Sequence, residues 1–153
     1  MRLLFEDRLF RGFIAGLIGG VIMNIYGTVS WLLGFSQIPF WQWASIIILG
    51  RPEVQGVGQH AIGLIGHLVF TGILGVLFAY FLPAVSSKLY LFKGWLYGVA
   101  IWFFIYSISH LFEVEGTFPI QLRTATSNVI GASIWGIVLA WALAWLDKKR
   151  KIG

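Results

Sequence analysis

Four stretches of this chain, from about Phe13 to Phe35, His60 to Leu82, Gly94 to Phe112 and Thr124 to Leu146, contain no Asp, Glu, Lys or Arg. Each matches the roughly 20 apolar residues that a helix needs to cross a hydrocarbon core about 30 Å thick. Lipid offers no partner to a bare peptide group, so a spanning segment must close its own backbone hydrogen bonds, as a helix does. The pattern predicts an all-α fold, an integral membrane four-helix bundle that uses residues 1–153 as a single transmembrane domain. With 58% apolar and only 11% charged residues, the chain is more apolar than ordinary soluble domains.

The segments between the runs are short. Residues 37–50 contain Pro39, Trp41, Trp43 and the apolar Ile46-Ile47-Ile48-Leu49; too short to span, they are expected to form a helix lying in the interface or a re-entrant turn. Arg51-Pro52-Glu53 with Gly56 and Gly58, Ser86-Ser87-Lys88 through Lys93, and Glu113 to Arg123 with Gly116 and Pro119 read as loops, and connections this short suggest antiparallel neighbours in a bundle. Arg2, Arg8 and Arg11 precede the first run in the manner of a signal peptide, but the run is too long and no small-residue cleavage site follows.

Lysine and arginine set the orientation. Arg2, Arg8, Arg11, Lys88, Lys93, Lys148, Lys149, Arg150 and Lys151 fall on one side, against Arg51 and Arg123 on the other. The positive-inside rule therefore predicts a multi-pass protein with both the N-terminus and the C-terminus cytoplasmic. Trp31, Trp41 and Trp43 then mark the outer interface, and Trp95 and Trp145 the inner one. The expected partner of the basic segments, which carry most of the formal charge of +5, is a bilayer surface with anionic headgroups on the cytoplasmic side, not nucleic acid. A homo-oligomer or a larger membrane complex is left open. The absence of cysteine removes thiolate catalysis, disulfides and thiolate-held metals.

Small and polar residues recur at every fourth position, which draws a stripe along one side of a helix. The first run carries Gly12, Gly16, Gly20, Asn24 and Thr28; the second Gln59, Gly63, His67, Thr71, Gly75 and Ala79; the fourth Thr124, Asn128, Ala132, Gly136, Ala140 and Ala144. In the third, Gly94 and Gly98 give way to Trp102, Tyr106 and His110. Small residues let membrane helices approach closely, which accounts for the glycines and alanines. An amide or imidazole facing lipid is costly, so Asn24, His67 and Asn128 are expected to face the interior. At about 1.5 Å per residue, Asn24, Thr28, His67, Ser107 and Asn128 fall at one level in the outer half, a candidate ligand-binding cluster under a collar of His60, His110, Glu113, Glu115, Arg51, Glu53 and Arg123.

The glycine ladder Gly12, Gly16, Gly20, the segment His67-Leu68-Val69-Phe70, the entry Phe92-Lys93-Gly94 and a fourth span opening with Asn128 together resemble small, uncharacterised bacterial inner-membrane proteins of the YagU-like and YqhR-like type. The resemblance covers most of the chain. It implies a bacterial cytoplasmic membrane and supplies no catalytic residues.

The expectation is a non-enzymatic membrane protein, an accessory subunit or stress-related factor, whose outward-facing pocket takes a small polar group or a lipid headgroup. Ser107, Ser109, His110 and Glu113 lack the glycine-rich elbow and oxyanion motif of a hydrolase. One alternative is a channel or transporter component for a proton or small polar solute, with His67 as the titrating group. Another is a redox subunit holding metal or haem through His60, His67, His110 and Glu113, in which Gly63 and Gly66 admit the macrocycle and Arg51 or Arg123 meets its propionates. The offset in depth between His67 and His110 weighs against the haem, and no cofactor is required by the sequence.

Overall fold

A computed structural model describes residues 6–85 and 88–152, without the side chains of 149–152. Arg2, Ser86, Ser87 and the side chains of Lys149, Arg150 and Lys151, all used in reading the sequence, lie outside the described residues. The described chain is helical: α1 Arg8–Leu32, α2 Phe40–Leu49, α3 Val57–Phe81, a 3-10 turn Leu82–Ala84, α4 Tyr90–Leu111 and α5 Leu122–Ile152. Helices α1, α3, α4 and α5 are long and apolar enough to cross a membrane, which is the architecture of a multi-pass membrane protein.

The helices run past several of the boundaries expected from hydropathy, because charged residues beyond an apolar run can stay helical where headgroups and water begin. Asp7 caps α1, its side chain accepting from Phe10 N at 2.8 Å. The other end of α1 stops sooner than expected. Gly34 adopts φ 75°, and Gly34 N and Phe35 N donate to the carbonyls of Trp31 and Ser30 at 3.0 and 2.9 Å. These are the two bonds of a Schellman stop, which favours glycine in the left-handed position.

Helix α1 packs on α3 and α5, and α4 packs on α5. Small residues make these approaches possible. A Cβ at Gly16 would lie 2.2 Å from the Thr71 carbonyl oxygen, one at Gly75 2.3 Å from that of Gly12, and one at Gly98 2.3 Å from that of Ala132. Ala15, Met23, Phe78, Trp135, Leu139 and Leu143 belong to the apolar core between these seams. At the end of the bundle bearing both chain termini, Arg11 Nε meets Asp147 Oδ1 at 2.8 Å, tying α1 to α5.

The short connection between α3 and α4 does not make them close neighbours; their backbones are not packed together. Tyr97 reaches across instead, its hydroxyl donating to the Leu74 carbonyl at 2.9 Å, with its ring tilted against Phe78 at 5.1 Å.

Helix α2 enters the bundle at the opposite end from the termini, packed mainly on α3. Its first residue stacks on His67, ring centroids 5.7 Å apart, and His67 lies about 15 Å along α3 from its start. Farther along, Ser45 Oγ donates to the Gln59 carbonyl at 2.7 Å, so α2 climbs back toward the beginning of α3. Residues 40–49 thus form a short helix that turns back along α3. One face of it is buried in protein, with only 2% of Trp43, 1% of Ile46 and none of Ser45 exposed, while Ile47 and Ile48 on the other face are exposed.

Candidate functional site

The polar centre of the bundle is a contact between α1 and α3. Asn24 Nδ2 donates to the Gly20 carbonyl at 2.8 Å, and Asn24 Oδ1 lies 3.1 Å from His67 Nδ1. Both side chains are buried. The four-residue spacing of each helix places Asn24 above Gly20 and His67 above Thr71, where the glycine leaves room for the threonine hydroxyl. Stacking on Phe40, with an interplanar angle of 2°, holds the imidazole from its face. His67 is thereby fixed by one edge and one face.

On the far side of Phe40 begins an aromatic row. Phe40 stacks on Trp43 at 6.3 Å, Trp43 packs on Tyr106 at 4.8 Å, and Tyr106 packs on Trp102 at 5.0 Å. Trp43 Nε1 donates to Ser109 Oγ at 3.3 Å, and Asn128 Nδ2 to the Tyr106 hydroxyl at 2.9 Å. Helix α2 is a wedge with one side on the α1–α3 pair and the other on the α4–α5 pair.

Beneath the wedge, between α3 and α4, lies a cavity of about 80 Å³. Phe40, Trp43, Ala44 and Ile47 of α2 form its roof; His67, Phe70, Thr71 and Leu74 form one wall, and Gly98, Ile101, Trp102 and Ile105 the other. Met23, Ala132 and Trp135 close the back. The front opens between the two helices that do not pack together, with Phe70 exposed at its edge. The lining is mostly apolar, with the His67 imidazole among it.

The five residues expected to share one polar cluster are distributed differently. Asn24 and His67 pair, and Thr28 joins the α1 side by accepting from Trp41 Nε1 at 3.2 Å. Asn128 is buried but belongs to the separate pair with Tyr106, across the α2 wedge. Ser107 is exposed on the outside of α4 and returns its hydroxyl to the Phe103 carbonyl at 2.8 Å, a local bond that lets a serine face lipid. The expected pocket was polar, whereas the space beside His67 is lined chiefly by apolar groups.

The residues named for metal or haem do not converge. His60 packs edge-on against Trp41 at 5.1 Å, His110 packs on Phe118 at 4.7 Å, and Glu113 is exposed in the following turn at φ 47°. Among the described residues no three His, Asp or Glu side chains are grouped as a metal site would need. The slot imagined for a macrocycle is also filled. A Cβ at Gly63 would fall 1.8 Å from Ser45 Oγ, and one at Gly66 2.4 Å from Ile48 Cδ1, so these glycines are sockets for α2.

Phe40, Trp43, Ile101, Trp102 and Trp135 were not anticipated as site residues. A signal for Trp102 existed in the α4 stripe, where aromatics continue the line of Gly94 and Gly98; glycines pack the helix at one end, and bulky rings hold space open at the other. Comparison with family models, with curated proteins and with solved structures found no match to this chain.

Proposed function

We propose that this chain is a non-enzymatic, multi-pass protein of a bacterial cytoplasmic membrane, both termini cytoplasmic, that holds an apolar membrane-dissolved molecule in the cleft between α3 and α4. An accessory or stress-related role in a larger membrane assembly fits such a binding protein. The observation that carries the reading is the cavity itself: lined by aromatic and aliphatic side chains, carrying one buried imidazole and opening between unpacked helices. Ligand sites in general combine mostly apolar walls with a few placed polar groups. The basic residues at the termini end support the orientation, and the resemblance to bacterial inner-membrane proteins supports the membrane.

A solute path through one chain is disfavoured by the packing toward the termini. There Gly94 and Gly98 meet the backbone of Gly136 and Ala132 and the Ala140 methyl, while Phe78, Tyr97 and Trp135 fill the middle. Native mass spectrometry of the protein released from mild detergent tests the binding reading. The native chain is expected to retain a lipid-sized adduct that Ala44→Trp, which fills the cavity roof, releases. An adduct unaffected by that change, or a bare native chain, contradicts it. A fluorescent protein fused after Gly153 is expected to fold and emit in the cytoplasm; a dark fusion contradicts the orientation.

A further inference from the structure

We infer that the cleft selects its apolar ligand through a hydroxyl group that donates a hydrogen bond to His67 Nε2. The inference rests on the reading of the cleft as a lipid-binding site and adds the chemistry of what binds there.

The argument starts at Gly20. Its carbonyl can only accept, so the Asn24 group 2.8 Å away is the amide nitrogen, and the amide oxygen is the atom turned to His67. That oxygen also can only accept, so the proton of the neutral imidazole sits on Nδ1 and Nε2 carries a lone pair. Asn24 is thus a positioning residue that sets the tautomer. With Nδ1 turned to α1 and one ring face covered by Phe40, the Nε2 edge is what His67 contributes to the cavity. Nε2 has no hydrogen-bond partner among the described residues, in a side chain only 6% exposed.

Of the other polar side chains in the lining, three are engaged elsewhere and one is not. Trp43 Nε1 is given to Ser109 and Trp135 Nε1 to the Gly16 carbonyl. The Thr71 hydroxyl donates to the Leu68 carbonyl and lies against Gly20, on the α1 side; Trp102 packs its ring beside Tyr106, and its Nε1 is buried without a hydrogen-bond partner among the described residues. A lipid alcohol brings its donor to Nε2 and, unlike a water bound there, also covers the remaining walls with hydrocarbon. An ether, ester or ketone oxygen would set an acceptor against an acceptor and leave Nε2 unpaired.

The test uses the full chain in nanodiscs of phosphatidylethanolamine and phosphatidylglycerol, titrated with 1-dodecanol or with dodecyl methyl ether at matched membrane mole fraction. Fluorescence reports binding, because Trp43, Trp102 and Trp135 line the cavity. The alcohol is expected to bind at least about 10-fold more tightly than the ether, the order of one hydrogen bond left unmade. His67→Phe keeps a ring against Phe40 and should bring the two within about 2-fold, and Asn24→Leu, which frees Nδ1, should lower the preference as well. Equal binding of alcohol and ether by the native chain, or an undiminished preference in folded His67→Phe, overturns the inference while the cleft reading stands. No saturable response to either probe overturns both.

Discussion

Helices α1 and α3 are separated in the chain by all of α2, yet they touch backbone to backbone; α3 and α4 follow one another and stay apart. Lipid is as apolar as the side chains, so helices do not associate to hide grease, and contact follows the small residues. The small face of α3 is consumed along its length, Gly63 by Ser45 of α2 and Thr71, Gly72 and Gly75 by α1. That of α4 is consumed by α5 at Gly94 and Gly98. What remains to face across the gap is Phe70, Leu74, Ile101 and Ile105, side chains that hold the helices apart and line a space between them.

Enlarging a residue should therefore be ruinous in the seam and mild in the gap. Gly16→Leu or Gly75→Leu must displace backbone, and a loss of about 3 kcal/mol or more is expected, seen as a large fall in the thermal midpoint in detergent. Ile101→Phe in the gap should cost less than about 1 kcal/mol while weakening ligand retention. Similar losses at both places would break the comparison. Next in size, Asn24→Leu leaves the Nδ1 edge of His67 buried without its partner and should cost about 1–3 kcal/mol by the same melt. Trp43→Phe keeps the wedge but removes the bond to Ser109, for roughly 1 kcal/mol. Smallest is Ser107→Ala, on the exposed face of α4, expected within about 0.5 kcal/mol of the native chain; a larger loss would place Ser107 inside.

The spans were readable because each is an uncharged run of membrane length, and the glycine seams because the every-fourth-residue pattern is visible in α1, α3 and α5. Burial of Asn24, His67 and Asn128 followed from the cost of polar groups in lipid. Their partition into two pairs did not, because depth along a helix says nothing about which neighbour stands between them, and that neighbour is α2. The aromatics of α2 suit either an interface or a protein-lined recess, so its residues alone are compatible with both placements. Ser107 was misplaced because α4 carries large apolar side chains all round, with only 11% of its most apolar window buried. Its rotation is set by Gly94 and Gly98, two turns and more away from the serine.

The most direct test is photocrosslinking of the native chain in bacterial membranes with a diazirine-tagged lipid, followed by peptide mapping. Labels are expected to concentrate on Phe70, Leu74, Ile101 and Ile105 and to fall when untagged lipid competes. Labels spread evenly over exposed side chains such as Ile25, Leu77 and Phe103, without competition, would contradict a binding cleft between α3 and α4.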